Sequence, residues 1–459
     1  MKRSQVRVQE SEMKLRGEIT AFLSLVFILL ISFVLGITES AYIQTAKNLS
    51  RLDVDRSIFS VFGEYEKELL EDYEIFAFDA SYGSGTFTKD LILNRLAYYG
   101  SMGVQQEVTD IQFLTDRNGQ AFREGVITFM ESQSGIESLR ELTGWTQEWK
   151  EQSAVGEEIT DSLDQMLEEN SSLLPEESSD LTGYISSGNF MSLVLPKDFQ
   201  VSEKSITKEE QVSIRTKNMG WGTLPIMQGL GNFEEKLLFQ KYVMDRFGTA
   251  VSSKGEERNL DYEIEYLIEG KRSDEENLKA VITKLFLFRM AMNYMYLQTD
   301  SGKQQEAAVM ATAISVVLLN PEVEMVIKQL LLALWAFGES VLDLRSLLDG
   351  RKVAFNKSES SWQLSLSSLF SLGTSDDAIE GKDDENGIGY EQYLQILLCL
   401  KSIDEVTMRT LDRIEQNLIV EKKLTNFHMD TCVTKIKLLN KAEIGAGYQY
   451  EFPIYYGYL

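Results

Sequence analysis

The hydrophobic pattern changes period several times along the chain. From Ile19 to Thr38 twenty residues carry no charge, and Phe22, Leu23, Leu25, Val26, Phe27, Ile28, Leu29, Leu30 and Ile31 leave no polar face. At about 1.5 Å rise per residue such a helix spans roughly 30 Å, the thickness of a bilayer's hydrocarbon core. A cleaved signal has an apolar run of about 7–15 residues and a small-x-small site. Glu39, Ser40, Ala41 and Tyr42 do not form one. A soluble core helix normally keeps a polar face. The pattern therefore predicts an uncleaved transmembrane helix.

Beyond Glu39, gaps of three and four place Tyr42, Ala46 and Leu49, then Ile58, Phe62, Tyr65 and Leu69, on a helical face. One helix is expected to run on to near Asp72. A buried strand (73–78), a loop (81–85), a helix (88–100), a strand (104–114) and a turn at Asn118-Gly119 are expected next. Residues 120–170 read as helix, softened by Gly135, Gly144 and Gly156. Residues 190–199 look strand-like and 232–247 helical. In "YEIEYLIEG" (262–270), Tyr262, Ile264, Tyr266 and Ile268 alternate with acids, which predicts a strand with one buried face. Ser273 and Glu276 form a capping box for a helix carrying Leu278, Val281, Ile282, Leu285, Phe288 and Met292. Two or three more helices are expected up to Leu348, with 307–320 and 329–338 as core helices too short to span. Another follows from Tyr390 to Leu418. Tyr448, Tyr450, Phe452, Ile454, Tyr456 and Tyr458 alternate as a closing strand, and Pro453 puts it at an edge. The class is α+β, mostly helical, with several antiparallel strands.

Charge fixes an expected orientation. Residues 1–18 hold five basic and three acidic side chains, whereas the rest of the chain nets −28. Basic residues beside a span stay cytoplasmic. The short tail is thus expected inside and the acidic remainder outside. Such a remainder is a poor nucleic-acid binder. Residues 151–180 carry ten acids and no base, which suggests an exposed helix end leading to a linker.

Candidate chemistry is sparse. Cys399 and Cys432, both in apolar runs, read as buried thiols rather than a bridge. The single histidine, His428, excludes a His-based triad and a multi-His metal site; it reads as a sheet residue. Residues 382–393 fit a calcium loop at Asp384, Asn386 and Gly387, but Lys382 and Tyr393 stand where acids are needed. Arg289 and Asn293 lie one turn apart on one apolar helix, and Glu339 and Asp343 on another. Such insets satisfy each other when the helices pack, which is favoured over a catalytic acid pair. No catalytic, cofactor or metal residue is assigned.

The stretch "RGEITAFLSLVFILLISFVLGITESAYIQTAKNLSRLDVDRSIFSVFGEYEKELLEDYEIFAFD" resembles the N-terminus of an uncharacterised, membrane-anchored clostridial family, with the layout of the TadE/TadG-like pseudopilins of tight-adherence (Flp) pilus systems. The resemblance to the uncharacterised family continues in 195–206, 261–278, 334–355 and 390–400. The pseudopilin likeness covers about the first 80 residues. It departs from pilin signals in one respect: Phe22, not an acid, lies five residues after Gly17, and Glu18 follows the glycine directly.

The resemblance implies a single-pass protein of the plasma membrane. It would have a cytoplasmic tail (1–18), a span (19–38) and an extracytoplasmic region (39–459). That region would comprise a pilin-like part (39–170), a linker (171–182) and a helical domain with C-terminal strands (183–459). Its expected partners are the bilayer and, through the N-terminal helix, other tight-adherence components; no nucleic acid and no cofactor is expected. The expected role is a non-catalytic assembly component. The alternatives are an extracytoplasmic wall-polymer hydrolase and an anchored binding or sensor module.

Overall fold

A computed structural model describes residues 2–133, 141–187, 191–215, 217–225, 233–255, 257–374, 377, 379–445 and 447–458; of 2–16, 132–133, 141–143 and 186 it describes the backbone alone. Gly135, one of the glycines expected to soften a helix, lies outside these residues. Helix makes up 62% of the chain, beside one small antiparallel sheet, which is the α+β class.

Helix α1 (Lys2–Phe62) is unbroken over 61 residues. It stops at Gly63, whose N–H bonds Phe59 O at 2.9 Å, and not near Asp72. A separate helix α2 (Lys67–Tyr73) follows, closed by Glu74 in the left-handed region. Phe62, Ile58 and the Leu69 of α2 are buried, but Tyr42 and Leu49 are exposed. The two apolar groups expected to share a face do not. Gly17–Phe62 contains a stretch long and apolar enough to cross a membrane, with none of it buried. Pro321–Leu348 passes the same test of length and composition, but 78% of its apolar stretch is buried, as a core helix requires.

The expected strand 73–78 shrinks to β1 (Phe78–Asp79), because Tyr73 ends α2 and the buried Ile75 and Ala77 lie outside the ladder, Ala77 O accepting from Glu66 N at 2.8 Å instead. After α3 (Lys89–Leu96) and a π-helical turn, β2 (Val104–Phe113) forms as expected. β3 (Cys432–Ile444) and β4 (Tyr448–Gly457) close the chain. β3 is the central strand: β2 pairs along one edge, while β1 and β4 occupy successive lengths of the other, all antiparallel. Pro453 lies opposite Leu439 on β4, an edge strand that pairs only with β3 among the described residues.

The helical body begins with α4 (Asp116–Gln133), whose first turn contains three left-handed residues, Arg117, Asn118 and Gly119. Gly119 is required there: a Cβ would also meet Thr407 Cγ2 at 2.6 Å. Then come α5 (Glu141–Asn170), α6 (Ser179–Ser186), α7 (Met191–Val194) and α8 (Phe233–Arg246). They are followed by α9 (Glu263–Glu269), α10 (Asp274–Thr299), α11 (Ser301–Val317) and α12 (Glu324–Leu348). The last are α13 (Tyr390–Leu400) and α14 (Ile403–Glu421), split at Lys401-Ser402 where one helix was expected.

One large core gathers Phe122, Trp149, Tyr242, Leu267, Phe288, Trp335, Tyr393 and Leu411; a second, under the sheet, gathers Ile58, Phe62, Phe78, Phe113 and Ile436. α5 crosses α10 closely at Gly156, where a Cβ would stand 1.9 Å from Leu287 O.

Four expectations are corrected by the packing. The residues described in 190–199 form the turn of helix α7 and a following loop, not a strand. Residues 262–270 are helix α9, not a strand: Glu263 and Glu265 are buried like their apolar neighbours, so the alternation marks no wet face. α11 is a surface helix, with Ala307, Ala311 and Ser315 inward but Val309, Val316 and Val317 exposed. Residues 171–178 form two short 3-10 turns, and Leu181, at the end of the expected linker, is fully buried.

Candidate functional site

Three buried polar clusters and one exposed helix face are the features with chemical or binding potential. The first cluster joins α10 to α12. Arg289 lies 2.8 Å from Asp343, and Asn293 donates to Asp343 at 3.0 Å and to Ser340 Oγ at 3.0 Å. Arg289 also donates to the carbonyls of Ala354 and Phe355 and to Tyr393 Oη. Glu339 pairs with Lys357 rather than with Arg289, and accepts from Leu364 N at 2.7 Å. Lys357 reaches Asp343 at 2.7 Å as well. All four charged side chains are fully buried. Burial pushes the Glu339 carboxyl up, against the pull of Lys357. At Asp343 burial is outweighed by Arg289 and Lys357, which hold it below the usual range. Two cations balance two anions, and every anion is hydrogen-bonded. Sequence reading placed Arg289, Asn293, Glu339 and Asp343 together but missed Lys357, which sits in a loop with no periodicity to betray its burial.

The second cluster surrounds α9. Glu263 accepts from Gly248 N at 3.0 Å and Asn417 Nδ2 at 2.7 Å, and pairs with Arg258 and Arg413. Glu265 accepts from Ala250 N and Tyr390 Oη, both at 2.9 Å. Burial raises its carboxyl to about 7. On α14, Asp412 accepts from Ser213 N and Oγ and from Tyr266 Oη, and burial raises it to about 6. These acids tie loops to helices, and none of them lines either of the two concavities described below.

The third cluster brings Glu415, His428 and Asp430 within 4.8 Å, the spacing of a metal site. Arg215 already bonds both carboxylates, which puts a guanidinium where a cation would bind. His428 Nδ1 stands 3.5 Å from Glu415, before the short turn Met429–Thr431 rather than in the sheet. Both carboxylates are thus engaged by one guanidinium, and the residues do not fit a metal. Cys399 and Cys432 are free, buried thiols, as expected.

The concavities add little. A groove of about 610 Å³ is lined by Glu177, Asp180, Met310, Ile314 and Phe370. A smaller one, of about 180 Å³, holds Asp116, whose oxygens already accept from Phe113 N and Gly220 N. The larger groove also holds Ser179, Ser367, Ser371 and Thr374, but the Ser371 and Thr374 hydroxyls donate to the backbone carbonyls of Ser368 and Ser371 and not to Glu177 or Asp180.

The remaining feature is the way the sheet grips α1. β4 runs alongside residues 42–62 in the same direction. Lys47 lies over Tyr450 at 5.1 Å and Arg51 over Phe452 at 5.7 Å, and Phe62 meets Tyr456 at 4.7 Å. Tyr458 Oη donates to Phe62 O at 2.6 Å. At the other end a Cβ on Gly445 would stand 3.4 Å from Tyr42 Oη, so the β3–β4 turn reaches that tyrosine. Tyr42 lies four residues past Thr38, about 6 Å along the helix.

Comparison with known proteins adds a family. The profile of a family of unknown function (DUF5702) matches residues 169–444, more than half of the chain. The chain belongs to that family. No curated protein and no solved structure matches it. The DUF5702 region carries most of the three clusters and ends at the last residue of β3. The strands that pair with β3 and the whole of α1 lie outside it. The family's sheet strand is therefore completed by flanking sequence of this chain.

Proposed function

We propose that this protein is a single-pass plasma-membrane protein, with its N-terminus cytoplasmic and its acidic body outside. There it would serve as a non-catalytic structural or assembly component of a tight-adherence (pilus-type) machine. The observation that carries this reading is α1. Its apolar stretch is bare over the length of a bilayer, and the same helix continues without a break into a stretch clamped along β4. A rigid helix of this kind couples the position of the body to whatever packs against the helix in the membrane. The ion pairs of the first and third clusters, and the burial of the acids around α9, favour a scaffold over an enzyme, since catalytic groups need an open approach to a substrate. The likeness of the first 80 or so residues to TadE/TadG-like pseudopilins supplies the machine.

The test is to replace residues 19–38 with an unrelated single-pass anchor of equal length and orientation. The proposal expects the protein to remain exported and folded but to lose co-purification with the secretion platform. Retained co-purification and retained appendage assembly would overturn it.

A further inference from the structure

Outside the apolar segment, α1 has two unlike faces. Val54, Ser57, Ile58 and Val61 are buried against the sheet. Tyr42, Leu49, Leu52 and Phe59 are 62%, 56%, 62% and 65% exposed. At about 100° per residue the mean directions of the two sets differ by about 160°. The exposed four are spaced 7, 3 and 7 apart, and Thr45 and Arg56, also exposed, fill the remaining places of a 3-4 repeat. Ile28, Ile31, Leu35 and Thr38 continue the same repeat through the apolar segment.

A seven-residue repeat of this kind is the seam of a helix pair, since it keeps one stripe facing a partner helix that runs alongside. A surface that merely tolerates scattered apolar residues has no reason to keep the period. We infer that the outward stripe of α1 packs against the same stripe of a second copy of this chain, as a parallel helix pair that runs from the bilayer into the extracytoplasmic space. The parallel orientation rests on the anchor reading above: copies inserted in one membrane point the same way.

Charge at the seam fits a second copy. In a parallel pair, Asn48 faces Asp53 of the second copy and Asp55 faces its Ser60, so no like charges oppose each other across the flanks. Arg56 lies in the seam opposite Arg56 of the second copy, and each guanidinium is offset by its own Asp53 at 3.1 Å and by Asp55 of the other copy beside it. The area sets the conditions. With about 200 Å² per large side chain, the four residues offer about 500 Å² per copy, short of the roughly 800 Å² per partner of a stable soluble interface. The pair thus depends on the membrane, where tethering raises the effective concentration and the segment from Ile28 to Thr38 adds packing.

The test uses single cysteines in the full chain, in membranes. Cys399 and Cys432 are buried, so background cross-linking is low. Leu49→Cys and Leu52→Cys should give oxidised dimers about tenfold faster than Gln44→Cys, which is exposed but off the stripe. Adding Leu49→Lys should slow dimer formation by Leu52→Cys; both residues are exposed, so the fold is kept. Equal rates at all three positions, or no dimer at 49 and 52, would overturn the pairing. Recovery of the protein in the soluble fraction would contradict the anchor reading. The pairing, which depends on the membrane, would fall with that reading, whereas equal rates in membranes overturn the pairing alone.

Discussion

Lys357→Met is the sharpest probe of the folded body. The wild-type ammonium lies between Glu339 and Asp343 with all three side chains fully buried. Asp343 keeps Arg289 and Asn293 after the substitution, so its loss is partial. Glu339 keeps only backbone N–H donors, from Gln363 and Leu364. Stranding a buried charge in this way costs about 3–5 kcal/mol. For a body of some 400 residues that lowers Tm by about 3–6 °C. The variant can recover part of the loss by protonating Glu339, so the deficit should be smaller at pH 5 than at pH 8. Adding Glu339→Gln removes the stranded charge, and the double variant should be more stable than Lys357→Met alone. Scanning calorimetry at the two pH values measures all of this. A Tm unchanged to within a degree, or a double variant whose losses simply add, would refute the closed network.

Other outcomes follow from the same packing. Glu265 and Asp412 have carboxyls raised to about 7 and about 6 by burial. Raised groups contribute stability that is complete below their unfolded values and is lost as pH rises through the folded ones. Tm should therefore fall from pH 5 to pH 8, and Glu265→Gln should flatten that slope; a Tm that rises over this range would refute it. Gly156→Ala forces a Cβ against Leu287 O and should destabilise the body by about 1–3 kcal/mol in chemical denaturation. Neither Cys399 nor Cys432 should react with a thiol reagent in the native protein, and both should react after unfolding.

What the sequence disclosed depended on whether a residue's surroundings repeat with a period. The bare run Ile19–Thr38, the buried faces of α10 and α12 and the alternating β4 all declare themselves. Even the pairing of α10 with α12 was legible, because Arg289, Asn293, Glu339 and Asp343 are the charged or amide exceptions in otherwise apolar stretches. Helix α9 misled for the opposite reason. Its glutamates occupy alternate places, as on a half-wet strand, but each is buried against loop N–H groups, arginines or tyrosine, and such partners leave no mark on local sequence. Lys357 and Arg215 were hidden in the same way, as loop residues whose burial is set by distant helices. Gly156 read as a weak point in a helix, whereas it is where two helices touch. The outward stripe of α1 was in view as Tyr42 and Leu49 but was merged with the sheet-facing Ile58 and Phe62. Only the position of β4 separates the two faces.

The central claim is that the body lies outside the membrane that α1 crosses. Protease added to intact spheroplasts tests it directly, with an N-terminal epitope tag and an antibody to the body read on the same samples. The account predicts digestion of the chain beyond Glu39, with a small tagged fragment containing residues 1–38 protected until detergent is added. Full protection of the body before lysis, or release of the whole protein into the soluble fraction, would contradict it.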